Sequence, residues 1–213
     1  MKILALDSAT SSCSAALWAD GRVLARRQAE MARGQSEVLV PMVAEVMAEA
    51  GLEFGDLDLL AATVGPGAFT GIRIGLAAAR ALALATGLPL AGVSTLEAVA
   101  AAVPADGHPL LVALDSKREE AWVQAFAADR SPQSEPAALP PAEAAALAGP
   151  DWTVAGDAAA LVLPLLPGAT PAAARFPDAA VVAALAAERW AAGTALPPEP
   201  LYLRPADVTC PST

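Results

Sequence analysis

The sequence predicts an α/β protein built as two duplicated lobes, and three observations carry that prediction. Ala5-Leu6-Asp7-Ser8 recurs 108 residues later as Ala113-Leu114-Asp115-Ser116, each copy closing an apolar run, Ile3 to Leu6 or Leu110 to Leu114. Each is followed by a second strand-like stretch, Ser12 to Trp18 or Glu120 to Ala127, and then by a turn at Asp20-Gly21 or Asp129-Arg130. Farther on, each half has a strand that passes through glycine into a helix: Leu59 to Gly67, and Trp152 to Gly156 leading into Asp157 to Leu166. A boundary at Val103-Pro104-Ala105-Asp106-Gly107 gives an N-terminal lobe over 1–104 and a C-terminal lobe over 105–213, with the terminal helix and tail able to pack back on the first.

In the first lobe a helix is expected from Ser36 to Ala50, with Pro41 as a local kink or delay. Val38, Leu39, Val40, Met42, Val43, Val46 and Met47 surround more than half of it and leave Glu37, Glu45 and Glu49 as a narrow polar line. A single core uses one stripe, so the surplus reads as a partner surface.

The strand Leu59 to Val64 then runs into Gly65-Pro66-Gly67-Ala68-Phe69-Thr70-Gly71-Ile72-Arg73-Ile74-Gly75. Its first three glycines permit a tight turn, Gly67 or Gly71 is expected to need a close or positive-φ backbone, and Thr70 is placed to cap the next helix. Amides at that helix start suit an anion. The spacing G-x-G-x-x-x-G is not the dinucleotide fingerprint, however, and no Gly-Lys-Ser/Thr closes it. A phosphate cradle and a plain strand-to-helix turn both stay open.

From Ile72 to Gly87 the only charges are Arg73 and Arg80, seven apart on one face. The helix, Thr70 to Thr86, is otherwise apolar nearly all round, which predicts burial on more than one side. Gly71, Gly75, Ala78 and Ala79 form a smooth strip for another helix backbone. The expected interface is therefore Leu39, Met42, Val43 and Val46 with Gly71, Arg73, Gly75, Ala78, Ala79 and Arg80, the arginines reaching glutamates of a neighbouring first helix. The plain alternative is a central helix buried in its own domain.

Composition excludes several classes. A net charge of −10 and a pI near 4.5 argue against an independent nucleic-acid surface. The single histidine, His108, falls between Gly107 and Pro109 and reads as a loop residue, not a metal ligand or the base of a protease relay. Cys13 and Cys210 offer neither ligand spacing nor a disulfide framework, which fits a reduced cytoplasm. Asp7 comes too early for a signal peptide. Mean hydropathy of +0.47 raises the question of a membrane, but the uncharged run Ala158 to Ala174 holds three prolines and Arg80 interrupts the central helix, so no span is expected.

Duplicated lobes with acidic residues ending their first strands are the layout of the actin-like, sugar-kinase and heat-shock-ATPase (ribonuclease H-like) fold. There, paired carboxylates hold a metal and hairpin turns cradle nucleotide phosphates, which places Asp7 and Asp115 on the interlobe cleft. The turn Ser8 to Ser12 has hydroxyls but no glycine, and Ser116-Lys117-Arg118-Glu119 is charged and bulky. Both are poor cradles. An enzyme that binds ATP and magnesium through Asp7 and Asp115 is the alternative to a binding role.

The opening Leu4 to Ser14, the Gly65 to Gly75 motif, the Asp115 segment and the closing Pro200-Leu201-Tyr202-Leu203-Arg204 together resemble the TsaB (YeaZ) family. That family supplies the partner subunit of the machinery that installs threonylcarbamoyl on adenosine 37 of certain tRNAs. The resemblance implies a non-catalytic subunit that activates a TsaD-like transferase, with a TsaE-like ATPase acting through the complex; the surplus apolar surface of the helices Ser36 to Ala50 and Thr70 to Thr86 predicts self-dimers when alone. It implies no direct tRNA binding by the isolated chain, no metal and no cofactor, ATP or ADP at the subunit junction being left open. In the paralogous TsaD the region beyond the central helix carries a metal-binding His-x-x-x-His. Here Val93 to Val99 puts Thr95 and Val99 in those places, and Gln35 stands where relatives often have His before Ser36.

Overall fold

A computed structural model of the chain describes residues 1–203. Arg204, which ends the closing motif, and Cys210 lie outside the described residues.

The first sheet comprises β1 (Lys2–Asp7), β2 (Ser12–Ala19), β3 (Arg22–Glu30), β4 (Leu59–Gly65) and β5 (Leu90–Ser94), in the order β3-β2-β1-β4-β5. β1 to β3 form an antiparallel meander, and β4 and β5 extend it in parallel with β1. The second sheet comprises β6 (Leu110–Asp115), β7 (Ala121–Phe126), β8 (Ala137–Leu139), β9 (Thr153–Ala155) and β10 (Thr170–Pro171). Read from the β8 edge its order is β8-β7-β6-β9-β10, the same arrangement with the same strand directions. Asp7 and Asp115 end equivalent strands, opposite Ser14 and Ala121. This repeated α/β unit is the actin-like, sugar-kinase arrangement.

Alternation along the strands builds two apolar layers on the first sheet. Leu4, Leu6 and Leu60 face α1 (Gln35–Ala50) and α2 (Phe69–Thr86), where Leu39, Val43, Val46, Ile72 and Leu76 meet them. Ile3, Ala5 and Leu59 face the opposite way, onto Val182, Ala183 and Ala186 of α6 (Ala179–Ala192). Thus α6 follows the second sheet in sequence and packs on the first. In the second lobe, α4 (Pro141–Ala145) and α5 (Ala159–Val162) cover one face and α3 (Thr95–Ala101) covers the other.

Two features join the lobes. Arg130, only 9% exposed, donates to the carbonyls of Val103, Pro104 and His108 and so fixes the linker between the sheets. Farther on, outward residues of β3 are laced to the stretch before α6: Arg26 to Asp178 at 2.9 Å, Gln28 to the Pro177 carbonyl at 3.3 Å, and Arg175 to Glu30 at 3.1 Å.

Helix ends depart from expectation in two places. Pro41 lies inside α1 without ending it, and glycines in the left-handed region, Gly34 and Gly51, bound that helix. The residue before α2 is Ala68, with no side-chain cap, and Thr70 sits exposed in the first turn. The cap expected of Thr70 is corrected: the chain enters helix two residues earlier because Ala68 N already bonds the Ala9 carbonyl at 2.8 Å.

That contact depends on glycine. A Cβ at Gly67 would overlap the Ala9 carbonyl oxygen and one at Gly71 the Ser8 carbonyl oxygen, both of them backbone atoms. Close approach, rather than positive φ, is therefore what the loop requires at both positions. Gly71→Val and Gly67→Val should each destabilise the isolated chain by about 2 kcal/mol or more, read as a fall in melting temperature of roughly 4 °C or more by circular dichroism.

Candidate functional site

The interlobe carboxylates do not form a pair. Asp7 is fully buried: Oδ1 accepts hydrogen bonds from Thr63 Oγ1 at 2.7 Å and from the Ala9 amide at 3.1 Å, and Oδ2 accepts from Ser12 Oγ at 3.4 Å. The turn 8–12 folds over it, held by Ser8 Oγ donating to the Gly71 carbonyl at 2.8 Å. Burial pushes the carboxyl up to about 7, against the downward pull of those three hydrogen bonds. The neighbouring Cys13 thiol is raised to about 12, first by burial and then by the charge of Asp7.

Asp115 has a different environment. Its carboxylate accepts from both the amide and Nζ of Lys117, each at 2.7 Å. Partial burial raises its pKa, but the two Lys117 hydrogen bonds and the Lys117 charge together outweigh it and hold the group below the ordinary carboxylate value. Its backbone amide donates to Asp157 Oδ1 at 2.8 Å, and burial raises the Asp157 carboxyl. Asp115, Lys117 and Asp157 line a groove of about 430 Å³ with Ser11, Glu30 and Arg175.

Asp7 is absent from that lining, so the expected facing of Asp7 and Asp115 across the cleft is corrected. The reason is long-range: Thr63 on β4 and Ser12 on β2 take up the Asp7 oxygens and close the turn over them. The residue on the groove beside Asp115 is Asp157, whose signal was its position directly after Gly156 at the strand-to-helix turn of the second lobe. Asp7 is sealed by its hydrogen bonds and Asp115 is paired with Lys117, so the two do not present a shared pair of open carboxylates to the groove. Among the described residues no group of three or more His, Cys, Asp and Glu side chains is placed to hold a metal.

The outward helical face is the second candidate. In α2 the buried residues are Gly71, Ile72, Gly75, Leu76 and Ala79, so the glycine strip faces inward. A Cβ at Gly75 would lie 2.9 Å from Ser8 Oγ. Leu39, Met42, Val43 and Val46 of α1 are likewise buried in the lobe core, and Ala78 is half-buried. The expectation that these residues form an exposed interface is corrected, because the small residues serve the approach of α2 to the β1–β2 turn of the same chain.

Arg73 and Arg80 do point outward, and each already has a hydrogen-bond partner within the chain. Arg73 Nε donates to the Tyr202 hydroxyl at 3.0 Å and Arg80 Nη2 to the Pro198 carbonyl at 2.6 Å. Glu45 and Glu49 pair with Arg27 of β3, at 2.9 and 2.6 Å.

Burial of α2 on more than one side is also corrected. Only one side is packed, and the opposite side presents Phe69, Arg73, Ala77, Arg80 and Leu84, all exposed, with Leu84 88% exposed. Their spacing of four, four, three and four residues is that of a seam for a second helix. By length and composition α2 would pass as a membrane span, although its two charges, Arg73 and Arg80, both lie on this outward side. On α1, Val40 is 60% exposed, with Ala44 and Ala48 on the same side.

Comparison with known proteins fits this geometry. YeaZ from Pseudomonas aeruginosa superposes with a TM-score of 0.84 at 30% identity, covering 95% of this chain and 99% of that one. The chain belongs to the TsaB (YeaZ) family. It is 45% identical over 100 residues to the tRNA threonylcarbamoyladenosine biosynthesis protein TsaB of Escherichia coli, a match that spans 47% of this chain and 43% of that protein. Rv3421c of Mycobacterium tuberculosis is 36% identical over 211 residues, 96% of this chain and 92% of that one. The TsaD family, described as tRNA N6-adenosine threonylcarbamoyltransferase, matches residues 26–164. Within the TsaB family fold, Gln35 ties the start of α1 to the β1–β2 turn, its Nε2 donating to the carbonyls of Thr10 and Met31, both at 3.3 Å.

The sealed carboxyl has a thermodynamic signature. Asp7 titrates near 7 when folded and near its ordinary 3.8 when unfolded. Its contribution to stability is therefore full below the unfolded value and is lost as pH rises through the folded one, by a few kcal/mol in all. Asp7→Asn should consequently gain stability relative to the wild type between about pH 4 and pH 7, measured by urea unfolding at several pH values. A pH-independent difference would place Asp7 in an open, ionised site.

Proposed function

We propose that this chain is a non-catalytic subunit that binds a TsaD-like transferase and activates it for N6-threonylcarbamoylation of adenosine 37 in tRNA, in the cytoplasm. The observation that carries the docking role is the exposed face of α2, a long apolar helix whose Leu84 is 88% exposed although its other side is packed. An apolar helical seam of this length favours coverage by a partner helix. Membership of the TsaB family supplies the partner: E. coli TsaB is named for threonylcarbamoyladenosine biosynthesis, and the TsaD family matches this chain over 26–164, which supports a paralogous fold meeting its like.

A non-catalytic role is supported by the donor set. Thr95 and Val99, both fully buried, occupy the two places where the resemblance puts imidazoles in the transferase, and neither replaces one. The chain uses no cofactor of its own, and the place for ADP or ATP is the subunit junction. A TsaE-like ATPase acts on the complex rather than on this chain alone. The net charge of −10 supports leaving tRNA contact to the partner. Alone, the chain covers its α1 and α2 faces by pairing with a second copy.

Leu84→Glu, on a residue with no packing role in its own lobe, should leave the circular dichroism melt unchanged and weaken binding of the TsaD-like partner at least about thirtyfold. Light scattering of the mixture and threonylcarbamoyl transfer to tRNA read the two effects. Full stimulation by this variant would place the interface elsewhere.

A further inference from the structure

The start of the α2 seam is assembled from two parts of the chain far apart in sequence. Residues 196–203 run back over the first lobe, where the Leu196 carbonyl accepts from the Gly92 amide at 2.8 Å and the Leu201 amide donates to the Val64 carbonyl at 2.7 Å. These anchors set Tyr202 beside Phe69, with ring centroids 5.3 Å apart. The Arg73 guanidinium lies over the Phe69 ring, 3.7 Å from its centroid, and 6.0 Å from that of Tyr202. Its Nε donates to the Tyr202 hydroxyl at 3.0 Å. Among the described residues Arg73 makes no hydrogen bond or ion pair besides that Nε bond, so none of them occupies the two-nitrogen end of the fork.

A guanidinium held by two aromatic rings and a fixed Nε bond has lost most of its rotamer freedom before a partner arrives. Its planar end matches a carboxylate through two parallel N–H···O bonds, a geometry that lysine does not reproduce. The seam that continues from it, Ala77, Arg80 and Leu84, is apolar or cationic and without an acid. On a chain of net charge −10 this is a local reversal of sign. It selects for an acidic helix here and against one elsewhere on the surface. An open apolar seam of helical length does not cradle a free phosphate.

We propose that Arg73 is a preformed receptor for an Asp or Glu carboxylate on the helix of the docking partner, and that Tyr202 is the positioning residue that holds it. The inference rests on the docking role given to α2 above, and the TsaD-like subunit is the partner to which it applies.

The full chain is titrated with that subunit by calorimetry at about 50 and about 300 mM salt. Arg73→Met should weaken binding about tenfold at low salt and flatten the salt dependence. Arg73→Lys should keep the charge yet fail to restore affinity. Tyr202→Ala should cost about threefold in the wild-type background and nothing in Arg73→Met, the non-additivity expected of one residue acting through another. Melting curves taken beside each titration confirm that the variants are folded.

If Leu84→Glu abolishes the complex while Arg73→Met binds with wild-type affinity and salt dependence, the receptor is overturned and the docking role stands. If Leu84→Glu has no effect, both are overturned. Losses from Tyr202→Ala and Arg73→Met that simply add overturn the positioning role, and Arg73-dependent binding of inorganic phosphate or ADP by the chain alone overturns the carboxylate.

Discussion

The contact on which the rest of the structure depends is the approach of the α2 start to the β1–β2 turn. Gly67 and Gly71 bring backbone against the Ala9 and Ser8 carbonyls with no room for a side chain, and the missing Cβ of Gly75 leaves space for the Ser8 hydroxyl. Two consequences follow from one close fit. The turn is pressed down over Asp7, which removes a carboxyl from the cleft, and α2 is rotated so that its glycine side is inside and its alanine, arginine and leucine side is outside.

The second lobe repeats the strand arrangement but not this outcome. Gly156, with φ of 101°, comes close to the Ala113 carbonyl as the glycines of the first lobe approach Ser8 and Ala9. The helix that follows it, α5, has four residues where α2 has eighteen, and Asp115 stays partly open on its groove, tied to Lys117. The duplicated unit thus carries an extended outward helix in one copy only. The lacing of β3 to residues 175–178 and the Arg130 clamp on the linker tie the two copies together.

Much of this was legible in the residues themselves. The repeat of Ala-Leu-Asp-Ser located β1 and β6, and the glycine-rich loop located α2 and marked Gly67 or Gly71 for a close or positive-φ backbone, of which close approach holds at both. What the sequence left open was the direction in which α2 faces. Apart from Arg73 and Arg80 the helix carries Ala, Leu, Ile and Gly on every side, and two charges in 18 residues are a faint stripe by which to tell core from solvent. The small-residue strip was accordingly assigned to a partner when it serves a turn 63 residues away. Asp7 was misplaced for a related reason, since a carboxylate ending a buried strand reads alike whether sealed or open, and the sealing residue, Thr63, is 56 positions distant. Tyr202 stood out only as part of a closing motif; its hydrogen bond to Arg73 spans 129 positions and leaves no local pattern.

The central claim is that the outward side of α2, not the interlobe groove, is where this chain meets its transferase. Hydrogen-exchange mass spectrometry of the full chain, free and saturated with the TsaD-like subunit, reads that location directly. The account predicts new protection concentrated in peptides spanning 69–86, with smaller gains in 35–50 and 196–203 and none in 115–120. Protection gained in 115–120 or 153–162, with 69–86 unchanged, would contradict it.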